Sequence, residues 1–306
     1  MSRFIWLIRR EIWEHKAIWV APAIVLVCLL LAVVTGNVQM GPIGSMDGST
    51  PLGNLPEETQ VNLLLIVYAG LALVVYMVMG IVAFFYALDS LYADRRDRSV
   101  LFWKSLPLSD AETVLSKFTV AALVIPLIAF VGALLAQFVI AGGGAARLAV
   151  AGHAAGIMWQ PEALLGGVVL SLMWCITAMI WYAPVVAYLM LASSWAPKGP
   201  FLWAVLPPVA ISLLEIVLLR TSHTKDFFTD RLFGLYRLLE SQDQTAAADA
   251  VSDQQVGDKL DYLSNIDLAA SLKAFYGSPE LWLGVLAAGL LLAAAMWVRR
   301  YRDETA

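Results

Sequence analysis

Long apolar blocks, rather than the amphipathic patterns of soluble domains, dominate the chain. Six blocks are long enough to cross the hydrocarbon core of a bilayer, which takes about 20 helical residues. They cover residues 17–36, 61–88, 118–141, 163–193, 201–219 and 281–298. Because a bilayer offers no water to backbone polar groups, these blocks must be helices. We therefore predict an all-α integral membrane fold in which residues 1–306 form a single transmembrane domain with six transmembrane helices.

Composition supports this prediction. The chain has 306 residues, of which 60% are hydrophobic and 14% are charged, and its mean hydropathy is +0.75. Ordinary globular domains carry roughly 25% charged residues. So few charges cannot cover a water-soluble particle of this size, which excludes a soluble domain.

Prolines interrupt three of the predicted spans. Pro126 lies in the third, Pro184 in the fourth, and Pro207 and Pro208 in the fifth. A proline removes a backbone hydrogen bond and kinks a helix, so we expect bends at these positions. The fourth block is longer than a bilayer requires and should tilt or project beyond it.

Basic residues predict the orientation, because cytoplasmic loops are enriched in Lys and Arg. Thirteen of the twenty Lys and Arg residues lie in the N-terminal segment, the second-to-third connection, the fourth-to-fifth turn and the C-terminus. The first-to-second loop, 37–60, has none. This distribution predicts a multi-pass protein with both termini in the cytoplasm.

The N-terminal segment, residues 1–16, has an amphipathic pattern. Its apolar residues, including Trp13, share one helical stripe, and Arg3, Arg9, Arg10 and Glu14 occupy the remainder. This pattern is typical of a helix that lies in the membrane interface. The alternative is a simple extension of the first membrane helix.

The connection between the fifth and sixth spans, residues 221–278, is predicted to lie outside the cytoplasm. Residues 226–239 place several apolar side chains on one face, which predicts an amphipathic helix at the outer surface. Residues 240–267 carry seven acidic residues against Lys259 alone. We expect this second part to be a solvated, partly helical cap.

The cytoplasmic connection, residues 89–117, is the most informative segment. Its centre, residues 95–106, begins with cationic residues and contains Phe102 and Trp103 before Pro107 stops it. Ser109 and Glu112 then form an S-x-x-E capping box that starts the next helix. Exposed aromatic residues usually anchor a protein interface. The alternative is that they rest on lipid headgroups.

The run DRRDRSVLFWKSLPLSD at residues 94–110 closely resembles the cytoplasmic loop of ABC-2 type transporter permeases, and its FWKSLP core is typical of a bacterial branch of that family. The resemblance implies a type V exporter-like transmembrane domain in a bacterial inner membrane. In the family this loop is a coupling helix that docks on a separate ATPase subunit. The residues implied in or beside that contact are Arg95, Arg96, Asp97, Arg98, Phe102, Trp103 and Lys104.

The resemblance also implies partners and cofactors. Two ATPase copies would act on two permease copies, either identical or closely related, in contact with membrane lipid. The chain has no G-x-x-x-x-G-K-[ST] run to bind phosphates, so ATP and Mg²⁺ are expected in the partner. Gly142, Gly143 and Gly144 lack the following Lys and are interpreted as a turn at a helix end. The three histidines have no metal-ligand spacing.

Three residues are candidates for a transport pathway: Glu215, Tyr76 and Trp181. A carboxylate inside a span is a functional hypothesis by default. Glu215 lies about one helical turn from Arg220, however, so a structural ion pair is the alternative. Tyr and Trp in membrane proteins often serve packing, which is the alternative for Tyr76 and Trp181.

The sequence thus predicts the permease subunit of an ATP-driven exporter, not an enzyme, with an amphipathic or lipid-like cargo. Its rivals are an intramembrane transferase and a non-transporting scaffold. A transferase needs convergent His, Asp or Ser residues at one depth, and the sequence indicates none. Co-purification of an ATPase would distinguish the predicted permease subunit from both rivals.

The predicted orientation can be tested by labelling. Cysteines placed at Asp47 and Asp253 should react in intact cells with a membrane-impermeant thiol reagent, whereas one at Ser99 should not. Labelling of the Ser99 position from outside would overturn the orientation.

Overall fold

The computed structural model describes residues 3–35, 56–97, 108–150, 152, 154–234 and 268–302, and the regular structure in these ranges is helical. The α-helices are α1 Arg3–Glu14, α2 Ala17–Thr35, α3 Glu57–Arg96, α4 Asp110–Thr119, α5 Ile125–Val150, α6 Pro161–Trp181, α7 Ala183–Trp195, α8 Pro200–Leu214, α9 His223–Phe233, α10 Leu268–Gly277 and α11 Pro279–Arg302. Short π-type turns at Val120–Val124 and Glu215–Leu219 extend α4 into α5 and lengthen α8, and a 3₁₀ turn at Ala155–Trp159 precedes α6.

Six helical stretches among the described residues are long and apolar enough to cross a membrane, as predicted. They are Ala17–Thr35, Glu57–Arg96, Asp110–Val150, Ala155–Trp181, Pro200–Leu219 and Pro279–Tyr301. The all-α, six-span prediction is therefore confirmed.

The prolines act locally as their chemistry predicts. Tyr182 interrupts the fourth block, so that α6 ends at Trp181 and α7 begins just before Pro184. The π-type turn at Val120–Val124 ends two residues before Pro126, which cannot donate a backbone hydrogen bond. Pro207 and Pro208 lie inside α8.

The three glycines at 142–144 do not form the predicted turn, because α5 continues through them to Val150. A Cβ at Gly143 would collide with the side chain of Val33 on α2. Here glycine permits the close approach of two helices, and the packing keeps the segment helical despite its low propensity.

Two helices are much longer than a bilayer is thick. α3 has 40 residues and is therefore about 60 Å long, against a hydrocarbon core of about 30 Å. The continuous stretch Asp110–Val150 is of similar length. These two helices flank residues 98–107, so both project beyond the membrane towards that segment.

The core of the bundle lies between α3, α5, α7 and α11. Its fully buried side chains include Val75, Met79, Ile125 and Met190. Large apolar side chains on the opposite faces, such as Met77, Val131 and Leu290, are at least half exposed. Exposed apolar side chains on long apolar helices are the pattern of a lipid-facing surface.

The segment after α8 folds back against the bundle. α9 begins at His223, three residues before the predicted start, and Trp181 packs beside Phe275 and Leu281. A helix is therefore present over the described part of the predicted range 226–239, and most of its side chains are exposed. Its C-terminal end contacts Trp181. The location of this helix at the outer membrane surface stays a prediction. Residues 235–239 and the predicted acidic cap, 240–267, lie outside the described ranges.

Candidate functional site

Five charged side chains meet at one end of the bundle and form what we call the charge network: Glu11, Asp94, Asp110, Lys117 and Arg299. Lys117 lies at its centre. Its Nζ is 2.9 Å from Glu11 Oε1 and 3.5 Å from Asp94 Oδ1. Glu11 and Lys117 are each only 2% exposed. These ion pairs are therefore largely withdrawn from water.

Arg299 joins the two helices that flank the predicted coupling segment. Its Nη1 is 3.0 Å from Asp94 Oδ2, near the end of α3, and its Nε is 3.2 Å from Asp110 Oδ1, at the start of α4. One guanidinium from α11 thus holds the chain on both sides of residues 98–107. The capping box at Ser109 and Glu112 is present as predicted and fixes the start of α4.

Glu11 extends the charge network to the N-terminal helix. Tyr86 donates a hydrogen bond of 3.0 Å from its hydroxyl to Glu11 Oε2, and the ring of His15 stands edge-on to the Tyr86 ring. Through Glu11, α1 is attached to both α3 and α4. This end of the protein therefore unites α1, α3, α4 and α11.

The balance of charge makes both cations of the network necessary. Three carboxylates face two cations, so the loss of either cation leaves a carboxylate without compensation. Breaking a buried ion pair from one side typically destabilises a protein by about 3–5 kcal/mol, because the remaining charge stays desolvated. The network also fixes the relative positions of its helices, since its five members come from four helices, α1, α3, α4 and α11.

The Arg95 side chain bonds to the C-terminal end of α7. Its Nη2 donates to the carbonyl oxygens of Ser193 and Ala196 at 2.6 and 2.9 Å. Ser193 Oγ in turn accepts from the backbone N–H groups of Leu91 and Tyr92. The last turns of α3 and α7 are thus held together directly before the coupling segment.

The other predicted ATPase contacts divide into two groups. Arg96 and Asp97 are exposed, and the Arg96 Nε lies 3.0 Å from Asp97 Oδ1. Arg98, Phe102, Trp103 and Lys104 lie outside the described residues. The coupling contact therefore stays a prediction for these side chains.

The predicted interfacial helix forms as α1, which a break at His15 and Lys16 separates from α2. This break favours a separate helix, and its location in the membrane interface stays a prediction. Arg9 stacks over Trp6 and Trp13, with distances of 5.5 and 4.9 Å to the ring centroids. Arg3 is exposed and Arg10 pairs with Glu14 at 2.7 Å. Trp13 is 69% exposed, as expected of a residue at a lipid interface.

Two of the pathway candidates make helix-to-helix contacts. The Tyr76 hydroxyl on α3 donates to the Ser171 carbonyl on α6 at 2.8 Å. The Trp181 Nε1 on α6 donates to the Arg231 carbonyl on α9 at 2.9 Å. The two side chains bond to different helices and do not form one site.

Glu215 has a different partner from the one predicted. Its carboxylate accepts hydrogen bonds from the Thr221 hydroxyl and from the backbone N–H groups of His223 and Thr224, at 2.8, 2.9 and 2.8 Å. It therefore caps the N-terminus of α9. Both residues are described, and Glu215 forms no ion pair with Arg220, which makes the turn instead in a left-handed conformation with φ of 52°.

In the described ranges, no three His, Cys, Asp or Glu side chains are grouped so that they could hold a metal ion. The chemistry that this part of the chain offers is ion pairing and hydrogen bonding between helices.

Comparison with known proteins agrees with the geometry. Residues 61–177 match a family model described as ABC-2 family transporter protein. The match begins in α3, passes through the coupling segment and ends in α6, so it includes Asp94, Asp110 and Lys117. No curated protein and no solved structure matches the chain. The resemblance to ABC-2 type transporter permeases is therefore confirmed, and it supports a membrane transport role for this multi-pass protein.

Sequence reasoning did not find the charge network. Glu11 gave one usable signal, since it lies four residues after Leu7 on the buried face of α1. A carboxylate on the apolar face of a helix indicates a buried partner. Nothing local indicates that the partner is Lys117, more than one hundred residues away.

The charge network predicts a large effect of Lys117→Met, which removes the central cation and leaves Glu11 with no described cation closer than His15. We expect a loss of about 3–5 kcal/mol in the free energy of unfolding, measured from thermal or denaturant unfolding of the purified protein. Arg10→Met is the matched control, since it breaks the more exposed pair with Glu14 and should cost less than about 1 kcal/mol. Equal effects of the two substitutions would contradict a central role for Lys117.

The capping contacts of Glu215 predict that Glu215→Gln is mild. The amide oxygen can still accept from the backbone of α9, so expression, helix content and transport should stay close to those of the wild type. Glu215→Ala, which removes the cap, should lower thermal stability more. Full expression with abolished transport in Glu215→Gln would instead assign this carboxylate to cargo or protons.

Proposed function

We propose that this chain is the membrane-spanning permease subunit of an ATP-driven exporter, and that its charge network transmits movement from a separate ATPase to the membrane helices. The observation that carries the proposal is that one cation, Arg299, pairs with both helices that flank the coupling segment, residues 98–107. A segment held in this way moves together with α3, α4 and α11.

The proposed orientation places the charge network on the cytoplasmic side. It rests on the excess of Lys and Arg in the segments around α1, residues 95–117 and the C-terminus. The exposed tryptophans of α1 would then lie at the inner membrane surface. There the Arg9 guanidinium between Trp6 and Trp13 suits a layer of phosphate headgroups.

Helix length and contacts between helices support the proposed transmission of movement. α3 and the Asp110–Val150 helix extend beyond the bilayer and would carry the coupling segment into the cytoplasm. The bonds of Arg95 to Ser193 and Ala196 add α7 to the same assembly. Movement of the coupling segment would therefore reach the fourth span as well as the second, third and sixth.

The exposed surface of α8 supports a paired permease and an apolar environment for its cargo. Its large apolar residues, such as Leu202, Leu206 and Leu213, are more than half exposed. A second copy of the chain, lipid or an amphipathic cargo would cover such a surface, whereas a hydrated ion would not. We therefore propose two permease copies with two ATPases and an amphipathic or lipid-like cargo. ATP and Mg²⁺ would bind to the ATPases.

The coupling contact can be tested by replacing both aromatic residues of the coupling segment. Phe102→Ala with Trp103→Ala should leave the permease inserted and folded but unable to retain its ATPase, because losing a clustered aromatic anchor typically costs more than about 2 kcal/mol of binding. The measurement is co-purification of the ATPase and its stimulation by the permease.

Trp6→Ala with Trp13→Ala provides the matched control, since it also removes two aromatic residues at the same end of the protein. These tryptophans lie outside the coupling segment, so the ATPase should be retained. Unchanged retention and stimulation in the Phe102 and Trp103 double variant would show that the coupling assignment is wrong.

A further inference from the structure

One face of α11 is a lipid-facing stripe, and aromatic residues stand at both ends of the helix. Leu283, Leu286 and Leu290 follow helical spacing along this face and are largely exposed. Trp282 and Tyr301, near the two ends, are also more than half exposed, and about 28 Å of helix separates them. This length is close to the hydrocarbon thickness of about 30 Å. Since Trp and Tyr are enriched at both membrane interfaces, the two residues mark the headgroup levels of the bilayer.

The charge network lies at one of these levels. Arg299 stands between Trp297 and Tyr301 in the sequence of α11, but it is buried in the charge network while the two rings are exposed. The same helical turn therefore presents ion pairs to the bundle and aromatic rings to the outside. α1 reaches this level too, because its Glu11 belongs to the charge network.

An exposed arginine and two aromatic rings form a cluster on α1. The guanidinium carbon of Arg9 lies 5.5 and 4.9 Å from the ring centroids of Trp6 and Trp13, and all three side chains are exposed. Both acidic residues of α1 are paired elsewhere, one in the charge network and one with Arg10. The outer surface of α1 therefore presents a cation among aromatic rings.

A second cluster of the same kind stands on α11. The guanidinium carbon of Arg300 lies 5.6 Å from the centroid of the Tyr301 ring, which in turn lies 5.4 Å from that of Trp297. Arg300 is exposed. The acidic residue of α11, Glu280, lies in the first turn at the opposite end of the helix. The exposed surface here is again cationic and aromatic.

The geometry of both clusters leaves the arginine donors available. A guanidinium stacks through its flat face, whereas its N–H groups lie in its plane and match the oxygens of a phosphate. The rings also hold the cation at the level where lipid phosphates lie. Because the second cluster continues the lipid-facing stripe of α11, the partner that fits both surfaces is a phospholipid headgroup with a net negative charge.

We propose that Arg9 and Arg300 form two binding sites for anionic phospholipids, and that lipid bound at both sites stabilises the charge network. Arg9 lies two residues from Glu11, and Arg300 follows Arg299, so lipid that holds these turns also holds two members of the network in place. The proposed orientation assigns both sites to the cytoplasmic leaflet. The binding itself does not depend on an ATPase.

Native mass spectrometry of the full-length permease, titrated in detergent with phosphatidylglycerol, measures the affinity of the first bound lipids. Phosphatidylglycerol should bind more tightly than phosphatidylcholine, whose phosphate is compensated by a positive charge. Arg9→Gln and Arg300→Gln should each weaken phosphatidylglycerol binding about fivefold, the contribution expected of one basic residue at an anionic surface. Arg9→Lys, which keeps the charge, should lose less than Arg9→Gln. Binding of phosphatidylcholine should change little in any variant.

Thermal unfolding of the same samples tests the link to the charge network. Phosphatidylglycerol should raise the unfolding temperature of the wild type, because a ligand of the folded state stabilises it. The double variant Arg9→Gln with Arg300→Gln should lose this rise and yet unfold like the wild type in phosphatidylcholine, since neither arginine belongs to the charge network. Lys198→Gln is the matched control, because it removes an exposed cation of the fourth-to-fifth turn, outside both clusters.

Three outcomes would overturn the proposal. Equal binding of the two lipids by the wild type would remove the preference for negative charge. An equal loss in Lys198→Gln would show that the lipid responds to total charge and not to the two clusters. Unchanged phosphatidylglycerol binding in both arginine variants, with failure to co-purify the ATPase, would assign the clusters to a protein interface. Since the lipid measurements use the permease alone, failure of the proposed ATPase coupling would leave them unaffected.

Discussion

The burial of Asp94 between two cations is the interaction on which the charged end of the protein depends. Its two carboxylate oxygens face Lys117 and Arg299, which come from α4 and α11, while Asp94 itself belongs to α3. In a site that excludes water, each partner is needed to compensate for the desolvation of the others. The three helices can therefore slide past one another only if these buried charges separate, which would destabilise the protein. The charge network thus adds to the apolar packing of Leu91 and Val114 beside it.

Local sequence was sufficient for the spans, for the capping box at Ser109 and for the break before Pro184, because each depends on neighbouring residues alone. It was insufficient where distant segments decide the outcome. Gly142–Gly144 resemble a turn when read locally, yet the helix continues since Val33 packs against Gly143. No local pattern indicates that Glu11 pairs with Lys117. Glu215 caps α9, and the hydrophobic pattern predicted the start of that helix three residues too late. The residues of the charge network are therefore the part of the site that sequence reasoning missed.

Between its two ends the bundle relies on single hydrogen bonds from one helix to the backbone of another. Tyr68 donates to the Met158 carbonyl, Tyr76 to that of Ser171, and Gln137 to that of Leu164. Lipid tails are as apolar as the helices, so apolar contact alone does little to select one helix partner over another. Polar side chains at particular depths supply that selection. They also explain why a tyrosine inside a transporter need not line a pathway: its hydroxyl is already bound to a neighbouring helix.

The two buried cationic sites differ in a way that follows from their partners. Arg299 forms ion pairs with two carboxylates, whereas Arg231 stacks on an aromatic ring, bonds to one carbonyl oxygen and has Glu280 as an acidic neighbour. A cation held by carboxylates resists displacement, because moving it leaves those carboxylates buried without a counter-charge. A cation–π contact is worth about 2 kcal/mol when desolvated, so the Arg231 contact with Trp181 is the weaker of the two attachments.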